Sequence, residues 1–270
     1  FSESLKNSEK TITLEPGCQF EYSIFPLNTI GEIQSSIEKT DNETDKYLQE
    51  FDIKLLNYGI SPILTYKNIN LIPKRRYRIM AKYLWGILSD VMMRETAGIQ
   101  VGIDFKSEED AIRKFNLANK LSPFITAMFA NSSTRGGVDT GYKSFRALAW
   151  LNTDNERCGF ATKFKSDMTF SDYVKTLLEV PLIYIVREGK YIHVDGKINF
   201  KQFIRSGWEG YDATIEDFRL HANLFFPEIR LRNFIEIRNH DCVNEKYMYS
   251  LLAIYKGIFL NGERSGQGKE

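Results

Sequence analysis

Three segments with the alternation of β-strands carry polar side chains on one face and apolar side chains on the other. The polar pairs are Gln19 with Glu21, Thr96 with Gln100, and Glu236 with Arg238. Residues two or four positions apart on a strand point to the same side of a sheet. If the three strands share a sheet, these faces form one surface rich in carboxylate and amide oxygens, which suit Mg²⁺. Taken one at a time, each pair is more often simply the solvent-exposed face of a strand.

Arg146 and Trp150 are four residues apart in a segment, 143–151, that is predicted to be helical, so they share one helix face. An arginine stem packed against an indole is a common structural pair. A guanidinium held in this way is also suited to gripping a carboxylate through two parallel hydrogen bonds. Both interpretations, structural pair and carboxylate clamp, stay open on the residues alone.

The sequence lacks the glycine-rich signatures that bind nucleotide phosphates. Neither Gly-x-x-x-x-Gly-Lys-Ser/Thr nor Gly-x-Gly-x-x-Gly occurs, and the pair Gly136-Gly137 fits neither pattern. A bound ATP would therefore depend on a metal ion and on arginines to hold its phosphates. There is also no Gly-x-Ser-x-Gly elbow and no cysteine with a persuasive histidine partner. A hydrolase with a covalent intermediate is not indicated.

The charge balance gives no reason to expect a nucleic acid or an acidic membrane surface as a partner. Among 270 residues there are 36 lysines and arginines and 35 aspartates and glutamates, which gives a net charge of +1. No apolar run approaches the ~20 residues needed to cross a bilayer, so no membrane association is expected. The cysteines, Cys18, Cys158 and Cys242, are scattered and odd in number. A reduced, cytoplasmic location is the simpler prediction.

The periodicity of the chain predicts an α+β domain in which helices pack on the back of an antiparallel sheet. Two strands are predicted to be joined by a turn at Pro16-Gly17, and residues 96–105 form the clearest strand. Residues 228–238 alternate in polarity and are predicted to form one further strand. Ser122-Pro123 is predicted to begin a helix, because serine is a good cap and proline is favoured in the first turn.

Six motifs occur in an order and spacing that resemble one known family. They are ITLEPGCQFEYS, PKRRYRIM, MMRETAGIQVGIDF, FANSS, GYKSFRALAW with TDNERCG, and FFPEIRLRNFIEIR, over a span from about Thr11 to Leu260. The chain thereby resembles the plant and bacterial type of glutamate–cysteine ligase, in the glutamine-synthetase-like superfamily. The resemblance implies an antiparallel sheet that forms an open funnel, with helices packed on its outer face and with ATP and Mg²⁺ inside. It also implies that ATP phosphorylates the γ-carboxylate of L-glutamate, and that the amine of L-cysteine then displaces phosphate to give γ-glutamylcysteine.

The same resemblance implies roles for individual residues. The expected metal ligands are Glu15, Gln19, Glu21, Gln100 and Glu236. Arg238 is expected to contact the phosphate of the nucleotide and, together with Arg146, to be catalytic. The pocket that holds glutamate is expected to be formed by Arg76, Met93, Thr96, Arg146 and Trp150.

The chain departs from the family pattern in three places. An upstream strand with a Glu-x-x-Glu or Glu-x-Glu motif is not found before Thr11, and the helices that usually follow residues 251–260 are absent. In addition, Arg238 is followed by Asn239-His240-Asp241 where the family has Gly-Ala-Asp. We therefore expect this chain alone to be a poor catalyst and a longer parent protein to be active.

The predicted organisation is a disordered or truncated start (1–10), a single catalytic domain (11–260) and a tail (261–270). Either a monomer or a homodimer is compatible with the sequence. Two other functions stay open beside the main one. The protein could be a carboxylate–amine ligase with another amine acceptor, or a non-catalytic homologue that binds glutamate or a nucleotide.

Overall fold

The computed structural model describes residues 4–159 and 164–260, and the predicted tail, 261–270, lies outside them. The helices are α1 (Ile30–Gln49), α2 (Arg75–Tyr83), α3 (Ser89–Glu95), α4 (Glu108–Met128), α5 (Phe145–Leu151), α6 (Phe170–Glu179), α7 (Phe200–Ser206), α8 (Ile215–Asn223) and α9 (Glu245–Leu260). The strands are β1 (Leu5–Lys6), β2 (Lys10–Leu14), β3 (Phe20–Ile24), β4 (Gly98–Ile103), β5 (Thr134–Arg135), β6 (Val138–Asp139), β7 (Cys158–Gly159), β8 (Tyr184–Arg187), β9 (Lys190–His193), β10 (Phe226–Pro227), β11 (Ile229–Leu231) and β12 (Ile235–Asp241). The α+β class predicted from the sequence is confirmed.

The strands of the described ranges divide among several small sheets instead of forming one large one. Four of these sheets are antiparallel, and β7 pairs with β10 in parallel. Strand β1 lies within the segment 1–10 that was predicted to be disordered or truncated. None of the helices in the described ranges combines the length and apolar character needed to cross a bilayer.

The sheet that matters for the site has the strand order β11-β12-β4, with all neighbours antiparallel. Its apolar face includes Val101 and Ile237, which lie opposite each other and are buried against α4 and α9. The alternation of β-strands then points Gln100 and Glu236 to the other face. Helices on one side of this sheet thus leave its polar side available for chemistry.

The hairpin of β2 and β3 is brought against this sheet by its turn. The predicted turn at Pro16-Gly17 is confirmed, and the two strands pair so that Thr13 lies opposite Glu21. A Cβ atom added to Gly17 would lie 2.2 Å from the carbonyl oxygen of Arg94, so only glycine allows the turn to approach α3 this closely. The close approach fixes where the acids of the hairpin lie.

Two elements differ from the sequence prediction. Residues 228–238 form a hairpin of β11 and β12 instead of one strand, because the chain reverses between Leu231 and Ile235 and Arg232 N donates to Phe234 O (2.8 Å). Ser122-Pro123 does not begin a helix but lies inside α4, which starts after Ser107 and runs to Met128. Ser107 caps that helix by accepting from Asp110 N (3.2 Å), so the chain is already helical when it reaches Ser122.

The buried side chain of His221 makes the stability of the protein depend on pH, independently of the candidate active site. Its Nε2 atom donates to the carbonyl oxygen of Leu177 (2.8 Å), and burial lowers its pKa to about 4. A histidine whose pKa is depressed in the folded protein binds protons more readily when unfolded, so its contribution to stability is lost as pH falls below about 6.5.

We predict that wild-type protein loses stability relative to His221→Gln by up to about 1.4 kcal/mol per pH unit between about pH 6.5 and pH 4. Glutamine retains an N–H donor for Leu177 but does not titrate. Urea unfolding of both proteins at several pH values measures the difference, in which the other titrating groups cancel. A constant difference over this range would show that His221 is not held neutral by burial.

Candidate active site

Arg238 lies at the centre of the polar face of the sheet. Its Nη1 atom donates to Gln100 Oε1 (3.0 Å) on β4 and to Glu236 Oε2 (3.0 Å) on β12. The side chain is 13% exposed, so it is largely withdrawn from solvent while remaining accessible from one side. The structure therefore brings Gln100 together with the predicted pair Glu236 and Arg238. Thr96, the predicted partner of Gln100, instead precedes β4 and caps the end of α3.

Glu236 is surrounded by three arginines. Arg230 donates to its Oε2 from Nε (2.7 Å) and lies 2.6 Å away through Nη2, and Arg232 contacts its Oε1 at 3.2 Å. Burial opposes ionisation of this carboxyl, but Arg238 and Arg230 outweigh it and hold the pKa of Glu236 below its usual value. The carboxylate stays charged, and a metal ion at Glu236 would have to share its oxygens with these guanidinium groups.

Glu21 extends the charged cluster from the neighbouring hairpin. Burial and then the nearby Glu15 carboxylate raise its pKa to about 7, with a smaller contribution from Glu236, whereas Arg238 and Arg76 oppose the rise. These acids therefore lie within electrostatic reach of one another and of two arginines. A divalent cation would relieve the repulsion, so the donor set fits Mg²⁺.

The geometry limits how a metal could be held. Over residues 4–159 and 164–260, no group of three histidine, cysteine, aspartate or glutamate side chains converges closely enough to bind an ion. Mg²⁺ commonly uses one or two carboxylates and completes its octahedron with water and substrate phosphates. Coordination by only one or two protein groups is compatible with Glu15, Glu21, Gln100 and Glu236, and their roles as ligands stay predictions.

Gln19 has a different position from the acids that surround it in sequence. Its Nε2 atom donates to the carbonyl oxygens of Met93 (3.2 Å) and Thr96 (3.0 Å), and its Oε1 accepts from Gly17 N (2.8 Å). The amide thus ties the β2–β3 turn to the junction of α3 and β4. This contact explains how the hairpin is held against the site, and a metal role for Gln19 stays a prediction.

Two of the residues expected to bind glutamate, Met93 and Thr96, lie at that junction, and a third, Arg76, lies on α2. Met93 is 2% exposed and belongs to a buried apolar cluster, and Thr96 donates from Oγ1 to Met92 O (2.6 Å). Arg76 donates to the Tyr77 hydroxyl (2.8 Å), and its guanidinium lies 4.6 Å from the centre of that ring. Their contact with a substrate stays a prediction.

Arg146 is a buried cation that lacks a carboxylate partner. It lies in the first turn of α5 and is 5% exposed. Its Nη2 atom donates to the carbonyl oxygen of Arg238 (2.9 Å), while its Nε atom has no acceptor, and it makes no ion pair within the described part of the chain. Burial lowers the pKa of Arg146 from its usual value, and the nearby Asp241 carboxylate opposes this effect only in part. Buried guanidinium groups are normally paired.

Two guanidinium groups lie over the Trp150 ring. The Arg146 group lies 5.9 Å and the Arg238 group 5.7 Å from its ring centre. The Nε1–H of Trp150 is buried and has no acceptor. Arg146, Trp150 and Arg238 line one small cavity together with Glu228, whose pKa is raised by burial. Two unsatisfied donors beside one cavity indicate a missing acceptor group.

The roles of Arg230 and Arg232 were missed in the sequence. Arg230 pairs with Glu236 because these residues are directly opposite each other in the β11–β12 hairpin. Reading residues 228–238 as one strand placed them six positions apart along a single edge. A turn signal around Asn233 could have revealed the hairpin, since asparagine is favoured in turns.

Comparison with known proteins identifies the family. Residues 1–263 match the family model described as Glutamate-cysteine ligase family 2 (GCS2). The chain is 36% identical over 260 residues to the chloroplastic glutamate–cysteine ligase of Nicotiana tabacum, covering 94% of this chain and 50% of that protein. It is 35% identical over 265 residues to the chloroplastic glutamate–cysteine ligase A of Oryza sativa subsp. indica, covering 96% of this chain and 54% of that protein.

The chain thus spans about half the length of the curated relatives that it matches. The cytoplasmic location predicted from the cysteines is contradicted, because these relatives are chloroplastic proteins by name. The resemblance carried by the six sequence motifs is confirmed over the whole matched span. The chain belongs to the glutamate–cysteine ligase family 2.

Proposed function

We propose that this chain forms the glutamate- and ATP-binding centre of a glutamate–cysteine ligase. The observation that carries the proposal is the pair of unsatisfied buried donors, Arg146 Nε and Trp150 Nε1, beside one cavity. A carboxylate would supply acceptor oxygens for these donors and an ion-pair partner for Arg146. A buried guanidinium grips such a group through two parallel hydrogen bonds.

The second half of the proposal concerns phosphoryl transfer. Glutamate held by Arg146 would present its γ-carboxylate oxygen to the terminal phosphate of ATP, and ADP would leave. The amine of cysteine would then attack the γ-glutamyl phosphate carbonyl, the C–O bond to phosphate would break, and the amine would lose a proton. Arg238 would stabilise the phosphoryl charge, and its hydrogen bonds to Gln100 and Glu236, which hold the guanidinium in one orientation, support this role. Mg²⁺ bound by Glu15, Glu21, Gln100 or Glu236 would neutralise phosphate charge.

We further propose that the β2–β3 hairpin and the β11-β12-β4 sheet are two walls of an open funnel. This proposal is supported by the contact of Gln19 and Gly17 with the α3–β4 junction. Glu21 on the same hairpin lies within electrostatic reach of Arg238. A substrate entering between these walls would meet acids from one and arginines from the other. The active protein in this proposal is a monomer or a homodimer that binds neither nucleic acid nor membrane.

ADP release, measured both for this chain and for the longer parent protein expected from the sequence, tests the proposal, and we expect the parent to be the more active. We expect release that requires Mg²⁺, glutamate and cysteine together, with γ-glutamylcysteine as the product. A panel of other amines distinguishes a ligase with a different acceptor, which would release ADP fastest with one of those. Glutamate binding without ADP release under any condition would instead identify a non-catalytic homologue and would contradict the proposed activity.

A further inference from the structure

Asp241 ends strand β12 and is almost fully buried, with 1% of its surface exposed. Its Oδ2 atom accepts hydrogen bonds from Asn131 N (2.7 Å) and from the Ser132 hydroxyl (2.6 Å). Its Oδ1 atom accepts from the Ser144 hydroxyl (2.9 Å). Three donors thus converge on one buried carboxylate that makes no ion pair in the described part of the chain.

Both serine hydroxyls also accept hydrogen bonds from the first turn of α5. Ser132 Oγ accepts from Arg146 N (3.1 Å), and Ser144 Oγ accepts from Ala147 N (3.2 Å). Because each hydroxyl directs its proton toward Asp241, its lone pairs remain free to face the backbone N–H groups of the helix. The carboxylate therefore sets the orientation of both capping groups and, through them, the position of the backbone that carries Arg146.

The charge of Asp241 acts on the same arginine. Burial lowers the pKa of Arg146, and Asp241 is the first of the charged groups that oppose this effect. Arg238 acts in the opposite direction, and Glu228 has the same sign as Asp241 but a smaller effect. A buried negative charge near Arg146 that is not bonded to its guanidinium stabilises the cation and leaves its Nε donor free for a ligand.

Two glycines make room for this arrangement. A Cβ atom at Gly59 would lie 2.4 Å from Asp241 Cγ, and one at Gly98 would lie 2.4 Å from Arg146 Nη2. Neither glycine has a positive φ angle, so their small size rather than their backbone conformation is what the structure requires. Asp241 and Arg146 each occupy space that any other residue at these positions would fill.

We propose that Asp241 is a positioning residue that orients the substrate-binding Arg146 through Ser132 and Ser144. The proposal rests on the proposed function, because it takes Arg146 as the group that binds glutamate. Asp241 itself does not line the cavity beside Trp150. Replacing Asp241 should therefore impair glutamate binding, although Asp241 itself would contact neither glutamate nor ATP.

Asp241→Asn is the first test. The carboxamide turns an N–H₂ group toward donors that need an acceptor, and it removes the charge. We expect the glutamate KM to rise about tenfold to a hundredfold, with the ATP KM within about twofold of wild type. Asp217→Asn is the matched control, since Asp217 is also buried and accepts from Arg187 and Thr214 far from the cavity. An unchanged glutamate KM in Asp241→Asn, or an equal rise in the control, would overturn the proposal.

Gly59→Ala is a second test, because it displaces the Asp241 side chain without changing a polar group. The added methyl would push against the Asp241 side chain, so we expect a raised glutamate KM in this variant as well. Wild-type kinetics for Gly59→Ala would contradict the requirement for one fixed Asp241 position.

A readout without turnover separates this proposal from the proposed function. With Trp85 and Trp208 replaced by phenylalanine, Trp150 is the only tryptophan, and its indole reports on the Arg146 guanidinium stacked on it. We expect Asp241→Asn, but not Asp217→Asn, to increase acrylamide quenching of Trp150. If wild-type protein releases no ADP, the proposed function fails while this measurement still decides the role of Asp241, and unchanged quenching rejects it.

Discussion

Replacing Arg146 with lysine is expected to raise the glutamate KM by about tenfold to a hundredfold, because hydrogen bonds to charged groups contribute about 1.5–3 kcal/mol. Lysine keeps the positive charge but cannot supply two parallel N–H groups to a carboxylate. It would also lose the donor that reaches Arg238 O and the flat surface that stacks on Trp150. Steady-state kinetics with glutamate as the varied substrate measures the effect.

Arg187→Lys is a suitable control for this experiment. Arg187 also forms a bidentate pair, with Asp217 (2.6 and 2.8 Å), but that pair lies between β8 and α8, away from the cavity. The same chemical change there should leave the glutamate KM within about twofold of wild type, because no substrate contact is lost. If Arg146→Lys and Arg146→Ala both kept wild-type values of KM and kcat for glutamate, Arg146 would not be the carboxylate clamp.

Replacing Arg238 with alanine is expected to lower kcat by about a hundredfold to a thousandfold, the effect of removing one preorganised donor to a developing charge. Charge builds up on the transferring phosphoryl group, and a guanidinium already held by Gln100 and Glu236 stabilises it without reorganising. The loss should appear in kcat more than in the ATP KM. Because Arg146 contacts only the backbone carbonyl of residue 238, the alanine variant keeps that contact.

Arg232→Ala distinguishes a direct role of Arg238 from a general effect of charge. Arg232 also contacts Glu236 (3.2 Å), but its side chain is 40% exposed and it does not line the cavity. We expect its removal to change kcat by less than about tenfold, as for a partly exposed ion pair. A raised ATP KM with an unchanged kcat in Arg238→Ala, or equal kcat losses in the two variants, would argue against stabilisation of the transition state.

The two predictions concern neighbouring groups with separate tasks. The guanidinium groups of Arg146 and Arg238 both lie over the Trp150 ring, and of these two only Arg146 has a buried N–H without an acceptor. That difference is why Arg146→Lys is expected to affect substrate binding and Arg238→Ala to affect the chemical step. Measuring the glutamate KM, the ATP KM and kcat for each variant tests whether Arg146 acts in substrate binding and Arg238 in the chemical step.

Local patterns in the sequence were sufficient for the elements that carry these residues. Alternation identified β4 with Gln100 on its polar face, Pro16-Gly17 identified the turn between β2 and β3, and four-residue spacing placed Arg146 and Trp150 on one face of α5. Each of these features depends on residues close together in the chain. Backbone geometry alone then decides which side chains share a face.

The sequence by itself also determined the family, the α+β class and most of the residues that meet at the site. Only the tertiary structure decided how those residues are used. It turned residues 228–238 back on themselves so that Arg230 pairs with Glu236, and it assigned the Gln19 amide to backbone groups of the α3–β4 junction. It also buried Arg146 without an ion-pair partner among the described residues and converged three donors on Asp241. These outcomes depend on contacts between residues up to 110 positions apart, which no local periodicity encodes. Hydrogen-bond satisfaction in a buried site is settled only when such distant segments pack together.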